Sequence, residues 1–597
     1  MEYAAPLLDM EFVLNELAGL AAVQALPGCE AATPDLVDAV LQEHAKFCRE
    51  VIAPLNAPAD KNPGGLHDGE VHTAEGFKEA FQAFVEGGWQ GLRHPDIFGG
   101  QHLPRIVATP CMEMLNAANL SFALCPLLTD GAIEALLIAG SEQQKQTYLT
   151  KLVAGEWTGT MNLTEPQAGS DLSLIRTRAE PQADGTYKIF GTKIFITYGE
   201  HDLAENIVHL VLARTPEAPQ GVKGISLFVV PKFLINANGN LGARNDVRCV
   251  SLEHKLGIKA SPTAVLQFGD EGGAVGTLVG EKHRGLETMF IMMNAARFAV
   301  GVQGVAVAER AYQQAVAYAK ERVQSRDPAS ESGAPLTITH QPDVRRMLLS
   351  MRAQTEAARA LAYVGAAAAD IAQHHPDEAV RKEKQAFYEY LVPIIKGWST
   401  EMAIEVASTG IQVHGGMGYI EETGVAQYYR DARILAIYEG TTAIQANDLL
   451  ARKTARDGGK VSRAILAEMR ATERSIAASD HAGLQAIAAA LDSALLAYED
   501  TVDFMVRTLP SDPHAAYAAA VPYLKLAGIV LGGWQMARAA ELAHERMRQG
   551  QGDADFLSAK IITARFFAEH VLPQAFALRL AIVQGSTYMM TLGENQF

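Results

Sequence analysis

Cysteine is scarce in this chain, and its spacing excludes the common cysteine chemistries. Five cysteines, Cys29, Cys48, Cys111, Cys125 and Cys249, are scattered through the 597 residues. No pair has zinc-type or C-x-x-C spacing, so we expect neither a metal site nor a disulfide framework. The composition therefore indicates a reduced, cytosolic chain.

Signals for export, for membrane insertion and for dinucleotide binding are also missing. Residues 1–20 carry acids but no Lys or Arg, unlike a signal or transit peptide. No uninterrupted apolar run reaches the roughly 18 residues that cross a bilayer, so we expect no integral membrane span. Neither a Rossmann nor a Walker glycine signature occurs, so a dinucleotide would have to be held by other means.

Basic residues are outnumbered by acidic ones. The chain has 51 Lys+Arg against 68 Asp+Glu, a formal net charge of −17. This excess of acid argues against nucleic acid or an anionic membrane as a general partner, although a local basic groove could still hold a phosphate-bearing ligand. The remaining composition, 48% hydrophobic and 20% charged, is that of an ordinary globular protein.

What the chain does have is a change of periodicity along its length. Apolar residues recur at helical spacing towards both ends, whereas residues 187–197 (YKIFGTKIFIT) alternate and are rich in β-branched and aromatic side chains. The order helix–strand–helix predicts an α+β fold, and the polar residues 328–335 predict a loop. The predicted domains are an N-terminal helical domain (1–157), a middle antiparallel β domain (158–283), a helical domain (284–455) and an extra C-terminal helical domain (460–597).

One carboxylate stands where chemistry would be expected. Glu439 lies between the apolar residues 434–437 (ILAI) and a Gly-Thr-Thr turn. Apolar surroundings disfavour the charged form of an acid and raise its pKa towards the range useful for proton abstraction. A Glu before Gly is more often a solvated helix end, so other segments must decide between the two interpretations.

Two further segments combine glycine with polar side chains. Residues 161–171 (MNLTEPQAGSD) offer hydroxyls and exposed backbone N–H groups to a ring edge or a phosphate, and their alternative interpretation is a capped turn. Residues 411–419 (IQVHGGMGY) hold three glycines that let a ligand approach the backbone, or form only a loop. Within them, His414 is better explained as a packing residue than as a base.

Together these segments resemble the acyl-CoA dehydrogenases, flavoproteins that introduce an α,β double bond into acyl-CoA thioesters. The resemblance covers about residues 40–455 and implies that family's fold, whose C-terminal domain is a four-helix bundle. The extra C-terminal block resembles a long bacterial subgroup that includes 3-methylmercaptopropionyl-CoA dehydrogenases, and a cytoplasmic bacterial enzyme is expected. The segments that carry the resemblance are 139–145, 163–171, 193–197, 293–297, 412–419 and 430–441.

The resemblance also implies binding residues. The FAD would be held partly by the neighbouring subunit, through Arg322 and the 412–416 loop, which implies a homo-oligomer and most simply a dimer. Phe195 stands where the family often has Trp, which keeps a stacking surface but loses the indole N–H. The implied FAD-binding residues are Met161, Leu163, Thr164, Gly169, Ser170, Phe195, Thr197, Arg322, Gln412, Gly415, Gly416 and Thr441. The implied substrate-binding residues are Ser170, Asn294, Arg297, Tyr438 and Gly440.

The implied mechanism assigns the base to Glu439, which would remove the α proton while hydride passes to flavin N5. A second position that holds the base in some relatives carries Ala295 and Ala296 here, so Glu439 is the only base that the pattern offers. We expect a short- or medium-chain or methylthio-substituted acyl-CoA, a pocket floor near residues 127–131, and electron-transfer flavoprotein as the acceptor. A related flavoprotein oxidase and a DNA-associated relative without dehydrogenase activity remain alternatives.

Overall fold

The computed structural model describes residues 3–236, 238–326 and 335–597. Helices make up both ends of the chain, and one large sheet lies between them. This order is the predicted α+β arrangement. Most of the loop predicted at 328–335 lies outside the described residues.

The N-terminal part is helical, as predicted, except for one hairpin. Thr33 caps the helix Pro34–Phe47 by accepting a hydrogen bond from the Leu36 backbone N–H at 3.3 Å. The helical prediction is wrong at β1 (Gly64–His67) and β2 (Glu70–Thr73), which pair antiparallel. Asp68 and Gly69 both have positive φ at their turn, which is the Asp-Gly signal of a tight hairpin. The helices are α1 (Leu7–Phe12), α2 (Leu20–Gln24), α3 (Pro34–Phe47), α4 (Asn56–Lys61), α5 (Phe77–Glu86), α6 (Arg105–Ala118), α7 (Leu120–Ala139) and α8 (Glu142–Ala154).

The middle part forms an eight-stranded sheet that is antiparallel apart from one pair. Its strand order is β10-β11-β5-β12-β7-β6-β3, with β4 beside β5. β3 and β6 pair in parallel, because the chain crosses over through β4 and β5 before it returns in the same direction. The strands are β3 (Trp157–Asn162), β4 (Arg178–Pro181), β5 (Tyr187–Thr197), β6 (Asn206–Ala213), β7 (Ser226–Pro231), β8 (Phe233–Ile235), β9 (Leu241–Arg244), β10 (Val247–Leu252), β11 (Thr263–Phe268) and β12 (Ala274–Val279).

Long helices return after the sheet and continue through the C-terminal part. The first three pack along one another as the body of a helical bundle. A short strand pair, β13 (Val323–Arg326) and β14 (Pro335–Thr337), follows the first of them. The helices are α9 (Gly285–Glu321), α10 (Pro342–His374), α11 (Glu378–His414), α12 (Val425–Leu435), α13 (Thr442–Asp448), α14 (Lys460–Ala477), α15 (Ala482–Ser511), α16 (Pro513–Ala518), α17 (Ala520–Arg548), α18 (Ala554–Phe566) and α19 (Gln574–Gly585).

The C-terminal helices share the core of the bundle. One cluster of buried apolar side chains runs from the N-terminal helices through α9–α11 into α15–α18. Small residues allow the close approach: a Cβ on Gly528 of α17 would lie 2.2 Å from Cγ of Trp398 on α11. The extra C-terminal block is therefore packed into the same interior and is not a separate module.

A buried ionic cluster ties the same parts together. The Arg359 guanidinium on α10 lies 2.6 Å from carboxylate oxygens of both Asp9 and Glu113, and 2.9 Å from Glu309. Lys560 on α18 lies 2.6 Å from the second oxygen of Asp9. Buried charges persist only when paired in this way. The cluster links the N-terminus, the bundle and the C-terminal helices.

Three helical stretches of the described residues are long and apolar enough, by length and composition alone, to cross a membrane. They are Leu120–Ala139, Gly285–Glu321 and Ala554–Gly585, with 67%, 76% and 39% of their most apolar windows buried inside the protein. Packing in the core accounts for the apolar character of the first two. The expectation of no membrane span stays a prediction.

Candidate functional site

Glu439 lies in the turn between α12 and α13, after the apolar residues 434–437. Its backbone is left-handed (φ 53°), followed by Gly440 with φ 87°. A left-handed non-glycine residue costs about 1–2 kcal/mol, so surrounding contacts must hold it. Gly440 is required here for a second reason, since a Cβ on it would lie 2.7 Å from Nε2 of Gln445. Thr441 then caps α13 by accepting a hydrogen bond from the Ile444 backbone N–H at 3.3 Å.

Two cations from different helices face the Glu439 carboxylate. Burial raises the pKa of Glu439 above its ordinary value, while the positive charges of Lys396 on α11 and Arg297 on α9 act in the opposite direction. Lys396 is itself buried, and this burial lowers its pKa to about 7. The carboxylate therefore combines a raised pKa with two cations that stabilise its ionised form.

The substrate-binding residues predicted beside Glu439 gather around Arg297. Arg297 is buried, and its guanidinium lies 3.8 Å from Asp448 and 3.5 Å from Oδ1 of Asn294. Tyr438 donates a short hydrogen bond to Oε1 of Gln303 on the same helix, α9. Asn294, Arg297, Tyr438 and Gly440 thus lie around the turn that carries Glu439.

The segments predicted to face a flavin meet at the end of β3. The Ile194 backbone N–H donates to the Thr164 carbonyl at 2.9 Å, which joins the loop after β3 to β5. Gly169 folds back beside Thr164, since a Cβ on it would lie 3.7 Å from Cγ2 of Thr164. Gly169, Ser170 and the ring of Phe195 are exposed, whereas Met161 is buried beneath them. Five of the predicted residues, from Leu163 to Thr197, therefore form one surface: Leu163, Thr164, Gly169, Phe195 and Thr197.

A buried ion pair that the sequence interpretation did not single out holds this surface. Lys193 donates to Oε1 of Glu165 at 2.9 Å and to the Leu163 carbonyl at 3.0 Å. Glu165 also accepts from the backbone N–H groups of Arg176 and Thr177. Burial alone would raise the pKa of Glu165, but Lys193 and these donors bring it to about 2. Glu165 and Lys193 both lie in segments that carry the family resemblance, and this position was the signal that could have identified them as functional residues.

The surface has the character that a flavin requires. Phe195 is 58% exposed and is held at φ 60° within β5, where the pairing of β5 with β11 is irregular. An exposed aromatic ring in a fixed, strained backbone suits stacking on a planar ligand. Thr164 and Thr197 supply hydroxyls beside it, and Gly169 leaves the backbone approachable. These residues fit a flavin ring with its polar edge.

Helix α9 connects the surface that was predicted to bind the flavin to the Glu439 turn. Met292 and Ala296 pack in one cluster with Met161 and Leu163. Arg297 follows Ala296 and turns to the Glu439 side. One turn of α9 therefore separates the two halves of the site.

The remaining predicted residues form a second, distant patch. Arg322, Gln412, Gly415 and Gly416 are all exposed. The rings of Tyr318 and His414 stack 4.3 Å apart and bring the ends of α9 and α11 together. At 1.5 Å per residue, Arg322 lies roughly 37 Å along α9 from Arg297. Within one chain, this patch cannot share a site with Glu439.

A narrow cavity beside α9 is lined in part by residues of the predicted pocket floor. Its volume is about 20 Å³, and Leu127, Gly131, Ala295 and Ala296 are among the residues that line it. A cavity of this size holds about one water-sized group. Arg93 and Asp130 also line the cavity, and Arg93 forms ion pairs with Asp130 and Glu134 on α7.

Comparison with known proteins gives matches to family models along nearly the whole chain. The acyl-CoA dehydrogenase N-terminal domain matches residues 36–156, the middle domain 160–270 and the C-terminal domain 283–454. A fourth model, acetyl-CoA dehydrogenase C-terminal like, matches residues 465–593.

Individual proteins match over their full length. A 3-methylmercaptopropionyl-CoA dehydrogenase of Ruegeria pomeroyi is 53% identical over 591 residues, which cover 99% of this chain and 100% of that protein. A butyryl-CoA dehydrogenase of Syntrophomonas wolfei is 35% identical, with 100% and 99% covered. The structure of a Bacillus anthracis acyl-CoA dehydrogenase complexed with FAD has a TM-score of 0.75 at 20% identity, covering 96% of this chain and 92% of that chain, and supports the fold.

Proposed function

The chain belongs to the acyl-CoA dehydrogenase family, and we propose that Glu439 is the base that removes the α proton of its acyl-CoA thioester. The observation that carries this proposal is the Glu439 turn: a carboxylate with a raised pKa, held in a left-handed backbone beside two buried cations. The raised pKa makes the carboxylate a stronger base than an exposed Glu. Gly440, which has no side chain, leaves the approach to the carboxylate open.

The residues around Glu439 orient the substrate and keep the site dry. Arg297 and Lys396 stabilise the carboxylate before it takes the proton, and the packed residues of α9 and α12 exclude water. The backbone N–H of Glu439 would donate to the thioester carbonyl and stabilise the developing enolate. Tyr438, next to Glu439 in the chain, is held in place by its hydrogen bond to Gln303.

The cofactor in this proposal is FAD, which when bound accepts the hydride from the β carbon. The exposed ring of Phe195 and the hydroxyls of Thr164 and Thr197 would hold the ring system, with Gly169 and Ser170 beside them. Thr441 would contact the diphosphate. The Glu165–Lys193 pair keeps this surface in shape through its bond to the Leu163 carbonyl.

The proposal includes a homo-oligomer, most simply a dimer. Arg322 and the glycine loop at 415–416 are exposed and roughly 37 Å of helix away from the Glu439 end of α9. Residues at that distance serve a flavin only if it belongs to a second subunit. Electron-transfer flavoprotein as acceptor and a cytoplasmic location belong to the same proposal.

For the acyl group we propose a short chain, with 3-methylthiopropionyl-CoA as the leading substrate. The narrow cavity lined by Leu127 and Ala296 is too small to receive a long acyl chain. Arg93 and Asp130, which form an ion pair, also line this cavity, and charged lining disfavours a long alkyl tail. The Ruegeria relative, named for the methylthio substrate, adds support.

Replacing Glu439 with Gln tests the base directly. The Glu439→Gln protein should keep its yellow flavin but lose flavin reduction by acyl-CoA, measured anaerobically by stopped-flow bleaching. Glu405→Gln, an exposed change on α11 that removes an ion pair with Lys525, is the control and should reduce normally. Near-normal bleaching of Glu439→Gln would rule out the assignment, and hydrogen peroxide formation at the rate of turnover would favour an oxidase.

A further inference from the structure

Two side chains hold the backbone of the Glu439 turn from the interior. The ammonium group of Lys396 donates to the Gly440 carbonyl at 2.6 Å. The side-chain amide of Gln445 donates to the carbonyls of both Glu439 and Gly440 at 3.3 Å. Both donors are fully buried, at 0% exposure. A buried carbonyl without a donor is costly, so these contacts favour the left-handed turn over other conformations.

The two donors come from elements that pack on a third. Lys396 lies on α11 and Gln445 on α13, and helix α17 of the C-terminal part packs against both. Leu524 of α17 fills the junction: a Cβ on Gly397 would lie 2.8 Å from Cδ1 of Leu524 and 3.4 Å from Cβ of Gln445. Because a dense interior has little free space, a displacement of Leu524 would also displace Lys396 and Gln445.

We propose that Lys396 and Gln445 are positioning residues that set the Glu439 carboxylate, and that helix α17 supports them through Leu524. This inference rests on the proposed role of Glu439 as the base. The proposal gives the extra C-terminal helices a part in the reaction. Helix α17 packs against α11 and α13 and thereby keeps the Glu439 turn in its conformation.

The two positioning residues differ in charge, so their effects on Glu439 can be distinguished by pH. The groups that face Glu439 are Lys396 from α11 and Arg297 from α9, and its neighbour Tyr438 lies beside it. The charge of Glu401 raises the pKa of Lys396. The pKa of Arg297 is raised by the charge of Asp448 and lowered by that of Arg452. Lys396 is charged below a pH of about 7, where it stabilises the Glu439 anion. Gln445 carries no charge at any pH.

The first experiment compares Lys396→Met with Gln445→Leu in the flavin-loaded protein. Each variant should reduce its flavin at least tenfold more slowly with saturating acyl-CoA. Only Lys396→Met should also move the acid limb of the reduction-rate profile to higher pH, by about one unit, because Glu439 has lost a stabilising cation. Lys525→Met, on the exposed side of α17, should match the wild type.

The outcomes are decisive in either direction. A slowed reaction with the predicted split in pH profiles supports the proposal. Normal rates in both variants, or identical pH profiles with slow rates, would show that these residues act only in folding or not at all. Because Glu439→Gln is measured separately, a failure here leaves the base assignment standing.

The second experiment tests the support from α17 with two buried leucines of that helix. Leu524 and Leu526 are both buried, but a two-residue offset turns them to different faces of the helix. Leu524→Ala and Leu526→Ala should lower the thermal midpoint similarly. Only Leu524→Ala should slow flavin reduction, by about tenfold at a temperature well below both midpoints. Equal rates in the two variants would overturn the role of α17.

Discussion

The ammonium group of Lys193 lies 2.9 Å from the carboxylate of Glu165, in a pair that is almost completely buried beside the proposed flavin-binding surface. Lys193 also donates to the carbonyl of Leu163, so the same side chain orders the loop that follows β3. One ion pair thus connects the interior of the sheet to the proposed cofactor site.

Removing Lys193 should weaken both stability and flavin binding. Lys193→Met leaves Glu165 buried and without its cation, which costs about 3–5 kcal/mol for a broken buried pair. Because the backbone N–H groups of Arg176 and Thr177 still donate to Glu165, we expect the loss of stability to lie near the lower end of this range. Urea unfolding measures the stability, and flavin titration of the apoprotein measures the affinity. Lys188→Met, a half-buried lysine of the same strand, should cost much less, and equal losses would contradict the proposed role of the pair.

Acid should unfold the protein partly through Glu134. Burial would raise the pKa of Glu134, but Arg93 and Arg105 lower it to about 2 in the folded protein, against 4.5 for a free side chain. A depressed carboxyl pKa contributes stability above about pH 4.5, and that contribution is lost as the pH falls towards 2. Glu134→Gln should therefore be less stable than the wild type by about 3 kcal/mol at pH 7, and the gap should close between pH 4.5 and 2. Unfolding curves at several pH values measure this gap, and a constant gap would contradict the ion-pair account. Glu142→Gln on α8, where the acid is exposed, is the control.

Widening the narrow cavity should change the preferred chain length. Leu127→Ala removes a side chain from the cavity wall. The ratio of kcat/KM for hexanoyl-CoA to that for 3-methylthiopropionyl-CoA should rise about tenfold or more, since one methylene in an apolar pocket is worth about 1–3 kcal/mol. Leu128→Ala, on the neighbouring residue of α7, creates a cavity elsewhere and should leave the ratio unchanged. A ratio that shifts equally in both variants would mean that the cavity does not receive the acyl chain.

The distant Arg322 patch should act on the flavin of a second subunit. Arg322→Gln should weaken flavin retention without moving the pH profile of reduction, because the arginine is far from Glu439 along α9. Mixed oligomers of Arg322→Gln and Glu439→Gln subunits offer a sharper test. In such a mixture the Glu439 of one subunit can serve a flavin that is held by the intact Arg322 of the other, so reduction should return at a fraction of the sites. Arg326→Gln is the neighbouring exposed control. Failure to recover any reduction in stable mixed oligomers would count against a shared flavin.

Several features of the fold could be predicted from local patterns, whereas one strand pairing could not. The helical ends and the central sheet follow from periodicities of 3.6 and 2 residues. The hairpin at Asp68 and Gly69 was missed although Asp-Gly is a strong hairpin signal. The parallel pairing of β3 with β6 could not be predicted from either strand, because direction depends on how the chain crosses between them.

The sequence by itself determined that a carboxylate at 439 follows an apolar run and precedes a glycine, and the ordered motifs around it determined the family. Only the tertiary structure decided what surrounds that carboxylate. Arg297, Lys396 and Gln445 come from three different helices, and their effect on Glu439 depends on distance and burial, which no sequence pattern specifies. The same holds for α17, whose Leu524 reaches the back of the turn only because distant parts of the chain share one packed interior.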